Sequence, residues 1–176
     1  MGPLLLWVGV SSAAFHASNN YLTQALDFHG MFCFCFWLLA MNLRRVGIIA
    51  RERQTRMWIV LQVLGMALVH VMYRTHIKFQ WLVAAAVVAV LATEWAARAR
   101  SSVECAADAS RLRGAVALLV VAQLASLVDL MRVACDPQHA WLHGHVVWHH
   151  VSAIALYLVV QHYRVLQYPP VIDHER

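Results

Sequence analysis

The sequence predicts an all-α fold, a polytopic bundle of six transmembrane helices, and three observations carry that expectation. Of 176 residues, 61% are hydrophobic and only 13% charged, whereas a soluble domain carries about a quarter charged residues. Apolar runs close to bilayer-spanning length recur at 3–18, 25–43, 57–74, 79–97, 113–133 and 144–165. Basic residues gather in alternate connections between those runs.

The first run, GPLLLWVGVSSAAFHA, is short for a span and begins almost at Met1. It reads as a helix tilted in a thinned bilayer, or as a helix that sits partway into a larger fold. A signal peptide is the other reading, and the MGP start supplies no basic n-region for it. The short polar connection SNNYLTQ folds the second run back beside the first. Cys33 and Cys35 alternate with aromatics in that second run, and CFCF lacks the two-residue gap of a thiolate metal clip. They point about 200° apart on a helix, which suits packing.

Gln62 in the third run and Glu94 in the fourth fall at their cytoplasmic ends and read as interface residues. The fifth run carries Asp129 three residues before Arg132, a spacing that suits a local ion pair or a supporting role toward a histidine ligand. The sixth holds His145, His149, His150 and His162. Cys105 and Cys135 fall on opposite sides of this topology and cannot pair. No linker, repeat or low-complexity stretch divides the chain, so residues 1–176 are expected to form one domain.

A pI near 9.4 raises the question of nucleic acid, and the placement of the charge answers it. Arg44, Arg45, Arg51, Arg53, Arg56, Arg98, Arg100, Arg111, Arg113, Arg164 and Arg176 fall on one side of a six-span topology; Arg74, Lys78 and Arg132 fall on the other. That is the positive-inside bias, which places both termini in the cytoplasm and leaves no nucleic-acid surface. The histidines lean the other way. His16, His29, His70, His76, His139, His143, His145, His149 and His150 lie toward the non-cytoplasmic face, and only His162 and His174 toward the cytoplasm.

Chemistry concentrates in two fragments. SSAAFHASNNYLTQALD, residues 11–27, offers Ser12 and His16 four apart, with Asp27 eleven residues further on; HGHVVWHH, residues 143–150, offers His145 and His149 four apart. Residues four apart share one helix face, and all five fall at one membrane depth in this topology. A lone intramembrane histidine is usually a hydrogen-bonding residue between helices, the reading for His29, His150 and His162. Two on one apolar face both need to hide polar nitrogens from lipid, and a shared metal satisfies both. Zinc held by three nitrogens keeps a fourth position for water and makes that water acidic enough for catalysis at neutral pH. A nearby carboxylate can move the proton, and a hydroxyl can donate to a developing oxyanion. Asp27 and Ser12 suit those two roles, with His70 as the reserve ligand.

These residues resemble the alkaline ceramidase family, within the superfamily that also holds adiponectin-receptor-like proteins. Ser12, Phe15, His16, Gln24 and Asp27 match the family's first motif; Gly144, His145, Trp148 and His149 match its last; Cys135, Asp136 and Pro137 look like its connection before the final helix. The resemblance implies a seven-helix bundle, here without its first helix, and a zinc held by His16, His145 and His149. It also implies Asp27 as water partner, Ser12 near the carbonyl, and hydrolysis of the amide of a ceramide. The acidic N-terminal segment that binds calcium in some members has no counterpart, so no calcium site is expected.

The expectation is therefore a zinc-dependent integral-membrane amidohydrolase. It would cleave ceramide, or a similar N-acyl lipid, to a fatty acid and a long-chain amine on the non-cytoplasmic side. The alternatives are a non-enzymatic receptor of the adiponectin-receptor type and a bis-histidine haem protein. The first would place the metal near the cytoplasm, and the second gives no work to Ser12 or Asp27. The last run contains no lysine for a retinal Schiff base.

Overall fold

A computed structural model describes residues 1–100, 109–131 and 144–167, and among these residues there are six α-helices and no strand. The helices are α1 (Gly2–Ser18), α2 (Tyr21–Arg45), α3 (Gln54–Arg74), α4 (Gln80–Arg100), α5 (Ser110–Leu130) and α6 (Gly144–Gln167). Each falls on one of the six expected runs. Four segments, Tyr21–Arg45, Arg51–Arg74, Gln80–Arg100 and Ser110–Val128, are long and apolar enough to cross a bilayer, which marks a membrane protein. Exposed Val63, Leu64, Trp81, Val88, Trp95 and Leu124 give these helices the apolar outer faces that lipid requires.

The chain divides into two compact units, Met1–Ala106 and Ala107–Arg176. In the first, α2 is the hub, packing against α1, α3 and α4. Phe28, Phe32 and Phe36 recur every fourth residue along one face of α2. Together with Val69 and Met72 of α3, Phe79, and Ala86 of α4 they form the buried core. Phe32 and Phe36 stack at 5.2 Å, and Phe28 meets Phe79 edge to face at 5.0 Å. Gly65 lets α3 approach this aromatic row, for a Cβ there would come within 2.7 Å of Phe36 Cε2.

The turns follow from local chemistry. Asn19 takes the left-handed conformation (φ 45°, ψ 51°) and its N–H closes α1 on the Phe15 carbonyl. Asn20 then caps α2: its side chain accepts from the Thr23 N–H at 3.0 Å, and its own N–H donates to Thr23 Oγ1 at 3.3 Å. Two residues thus reverse the chain. After α2, the Gly47 N–H bonds Arg44 O and the Ile48 N–H bonds Leu43 O, with Gly47 at φ 83°. This paired bonding with a left-handed residue is the Schellman end. The end of α3 repeats it, His76 N–H to Tyr73 O and Ile77 N–H to Met72 O, but with a non-glycine residue at φ 56°.

A buried polar cluster ties α2 to α4. Asn42 Nδ2 donates to Val90 O at 3.1 Å and Thr93 Oγ1 at 3.3 Å; Arg45 donates to Asn42 Oδ1 at 2.8 Å and pairs with Glu94. Arg100 donates to the Val46 carbonyl at 2.7 Å. The interface reading of Glu94 and Gln62 is thereby corrected. Glu94 is 2% exposed and Gln62 9%. Glu94 is held in the interior by its arginine, because a buried carboxylate requires one. Gln62 is enclosed on the inner face of α3, one turn from Trp58, whose Nε1 donates to the Cys33 carbonyl at 3.0 Å.

In the second unit α5 and α6 pack together. Gly114, near the start of α5, lies beside Leu158, just past the middle of α6. Buried Ala115 and Ala122 on α5 and Ala155 on α6 are the small residues that let transmembrane helices approach closely.

Candidate metal and catalytic site

The first half of the candidate site lies on α1 and α2. Ser12 and His16 sit one turn apart on α1, His16 exposed in its last turn and Ser12 half-buried; Asp27 is half-buried on α2. The two-residue reversal sets their levels. Ser12 precedes Asn19 by seven residues and Asp27 follows Asn20 by seven. Each therefore stands roughly 10 Å along its helix from the turn, on neighbouring helices running in opposite directions. His16 is nearer the turn.

Helix α1 is held to α2 by groups that the motif alone does not reveal. Ser11 is buried against Gly30, where an added Cβ would come to 2.2 Å from Ser11 Oγ and 3.2 Å from Val8 Cα. Ser11 and not Ser12 is thus the contact serine, and Ser12 is turned about 100° away from it. Trp7 Nε1 donates to His29 Nδ1 at 3.0 Å, so His29 is an interhelical hydrogen-bonding residue, as expected. Its ring also lies 3.6 Å from Cys33 Sγ on the same helix. Cys33 is buried and Cys35 half-buried, both as free thiols, in keeping with packing.

His70, the reserve ligand, is already engaged: its Nδ1 lies 3.1 Å from the Tyr21 hydroxyl, and the Tyr21 ring lies tilted against Tyr73 at 4.0 Å. That arrangement ties α3 to the start of α2. Tyr21 carries no signal of its own in the sequence beyond following the helix cap.

The second half lies at the start of α6. His145 and His149 present their Nε2 atoms to each other at 3.1 Å, with rings edge to face at 4.6 Å. Trp148 lies flat beside His145, 5.6 Å between centroids and 11° between planes, and edge-on to His149 at 4.6 Å. His150 points elsewhere, its Nδ1 2.9 Å from the Val146 carbonyl of its own helix, so among the described residues it bonds locally and not between helices. His162 is buried. The side chain of Asp129, its expected partner Arg132, Cys105, and the Cys135–Asp136–Pro137 stretch lie outside the described residues.

The fit of a metal to the α6 pair can be tested by distance. Two zinc–nitrogen bonds of about 2.0–2.1 Å at a tetrahedral angle place their nitrogens roughly 3.3 Å apart. The observed 3.1 Å, the length of a direct hydrogen bond between the two imidazoles, is also close to that separation. Imidazole nitrogens are also the donor type that zinc prefers. The residues fit the group.

Fold and site together define a helical membrane protein with a histidine pair suited to a transition-metal ion. No family profile, curated protein or solved structure matches the chain.

Proposed function

We propose that the protein is a zinc-dependent integral-membrane amidohydrolase of the alkaline ceramidase type. Its six helices all cross the bilayer and correspond to six helices of the family's bundle. Both termini are cytoplasmic and the site faces the non-cytoplasmic side. His16, His145 and His149 hold the ion. The observation that carries the reading is the 3.1 Å approach of two imidazole nitrogens one turn apart on α6. Support comes also from the level shared by Ser12 and Asp27 on adjoining helices.

A zinc ion held there supplies a Lewis acid for the amide carbonyl and an acidified water. Asp27 accepts the proton of the attacking water and delivers it to the departing amine nitrogen. Ser12 donates a hydrogen bond to the carbonyl oxygen as it gains charge. Water adds to the acyl carbon, the C–N bond breaks, and a fatty acid and a long-chain amine leave. The substrate is a ceramide or a similar N-acyl lipid, reached from within the membrane.

The test is release of fatty acid from ceramide by purified protein reconstituted with zinc. Release that stops on chelation and returns with zinc supports the proposal. A zinc-loaded protein that releases nothing from any N-acyl lipid points to a receptor, and a Soret band in the purified protein to a haem carrier.

A further inference from the structure

A recess of about 250 Å³ opens at the start of α3, lined by Ile49, Arg53, Arg56, Met57 and Val60. Ile49 comes from the turn after α2. The others recur at spacings of three, four and seven, which puts them on one helix face. Arg53 and Arg56 are exposed and have no acidic partner among the described residues, where Glu94 takes Arg45. From Arg53 to Val60 the face runs about 10 Å along the axis, from charge to purely apolar lining. It continues as exposed Val63 and Leu64, then Leu68 and Val71.

We infer that this recess binds an anionic phospholipid. Its phosphate sits between the guanidinium groups of Arg53 and Arg56, and an acyl chain lies over Met57 and Val60 toward Val63 and Leu64. Two arginines together match a phosphate in charge and in planar donor geometry. A soluble anion would satisfy the arginines and leave Ile49, Met57 and Val60 against water. An amphiphile satisfies both ends. The helix that carries the recess is long and apolar enough to cross a bilayer, so the arginines fall at its interface, where headgroup phosphates lie.

The test is native mass spectrometry of the full chain from micelles holding equal dioleoyl-phosphatidylglycerol and dioleoyl-phosphatidylcholine. The wild type should retain the anionic lipid preferentially. R53Q/R56Q should lower that retention by about twenty-fivefold, at roughly fivefold per arginine. R53K/R56K, which keeps the charge and loses the planar fork, should fall between the wild type and R53Q/R56Q, and R74Q/K78Q, at and just beyond the opposite end of the same helix, should keep most of the retention. Circular dichroism shows whether each variant is folded, and R56Q alone decides the matter if the double variant is not. Equal retention of both lipids by the wild type, or undiminished preference in R53Q/R56Q, overturns the inference. So does displacement of the lipid by glycerol phosphate at matching concentration, which would assign the recess to a free phosphate.

Discussion

The Nε2 atoms of His145 and His149 face each other at 3.1 Å across one turn of α6, with the indole of Trp148 flat against the first ring and edge-on to the second. At this distance the two rings hydrogen-bond each other. Under the proposed function a metal ion replaces that direct bond, and the tryptophan fixes the rings in place for it.

That role for Trp148 is open to measurement. Groups that orient metal ligands from outside the coordination sphere typically contribute ten- to a hundredfold in affinity. Trp148→Ala should weaken zinc binding by about tenfold in a competition titration with a chelator. Trp148→Phe, which keeps a flat ring, should lose much less.

Asp27 separates binding from chemistry. Under the proposed mechanism it moves the proton and does not hold the ion, so Asp27→Asn should retain zinc in elemental analysis while hydrolysis falls by about a hundredfold or more. Loss of zinc in this variant would instead make Asp27 a ligand.

The Arg45–Glu94 pair should matter for stability alone. Glu94→Gln leaves a guanidinium in the interior without its carboxylate, which costs about 3 kcal/mol or more. The double variant Arg45→Met/Glu94→Leu should recover most of that loss in denaturation of the solubilised protein. A double variant no more stable than Glu94→Gln would mean that the cluster needs its charges.

Two helix ends share one geometry and differ in residue. Gly47 and His76 both hold positive φ, at 83° and 56°. Gly47→Ala should destabilise by about 1 kcal/mol, and His76→Gly should be neutral or stabilising by up to about that amount. Thermal denaturation of the two variants checks the opposite signs.

Much of the fold was legible because bilayer-scale apolar runs and short polar turns leave few alternatives. The Asn19–Asn20 reversal is a local matter of one left-handed residue and one cap, and it shows in SNNYLTQ as a short turn. The α6 histidine pair was legible for the same reason, since spacing by four needs only a helix. Glu94 was misjudged because its partner, Arg45, lies 49 residues away, and a hydropathy profile cannot pair residues across helices. The Ser11–Gly30 contact and the Tyr21–His70 bond were hidden likewise. Each depends on the rotation of one helix against another, which side-chain packing sets and a linear pattern does not encode.

The most direct test of the central claim is the zinc content and ceramide turnover of His149→Ala, measured on the same purified sample beside the wild type. A single bound zinc and amide hydrolysis in the wild type, with both lost together in the variant, is the predicted result. A variant that keeps wild-type zinc and wild-type turnover would contradict it.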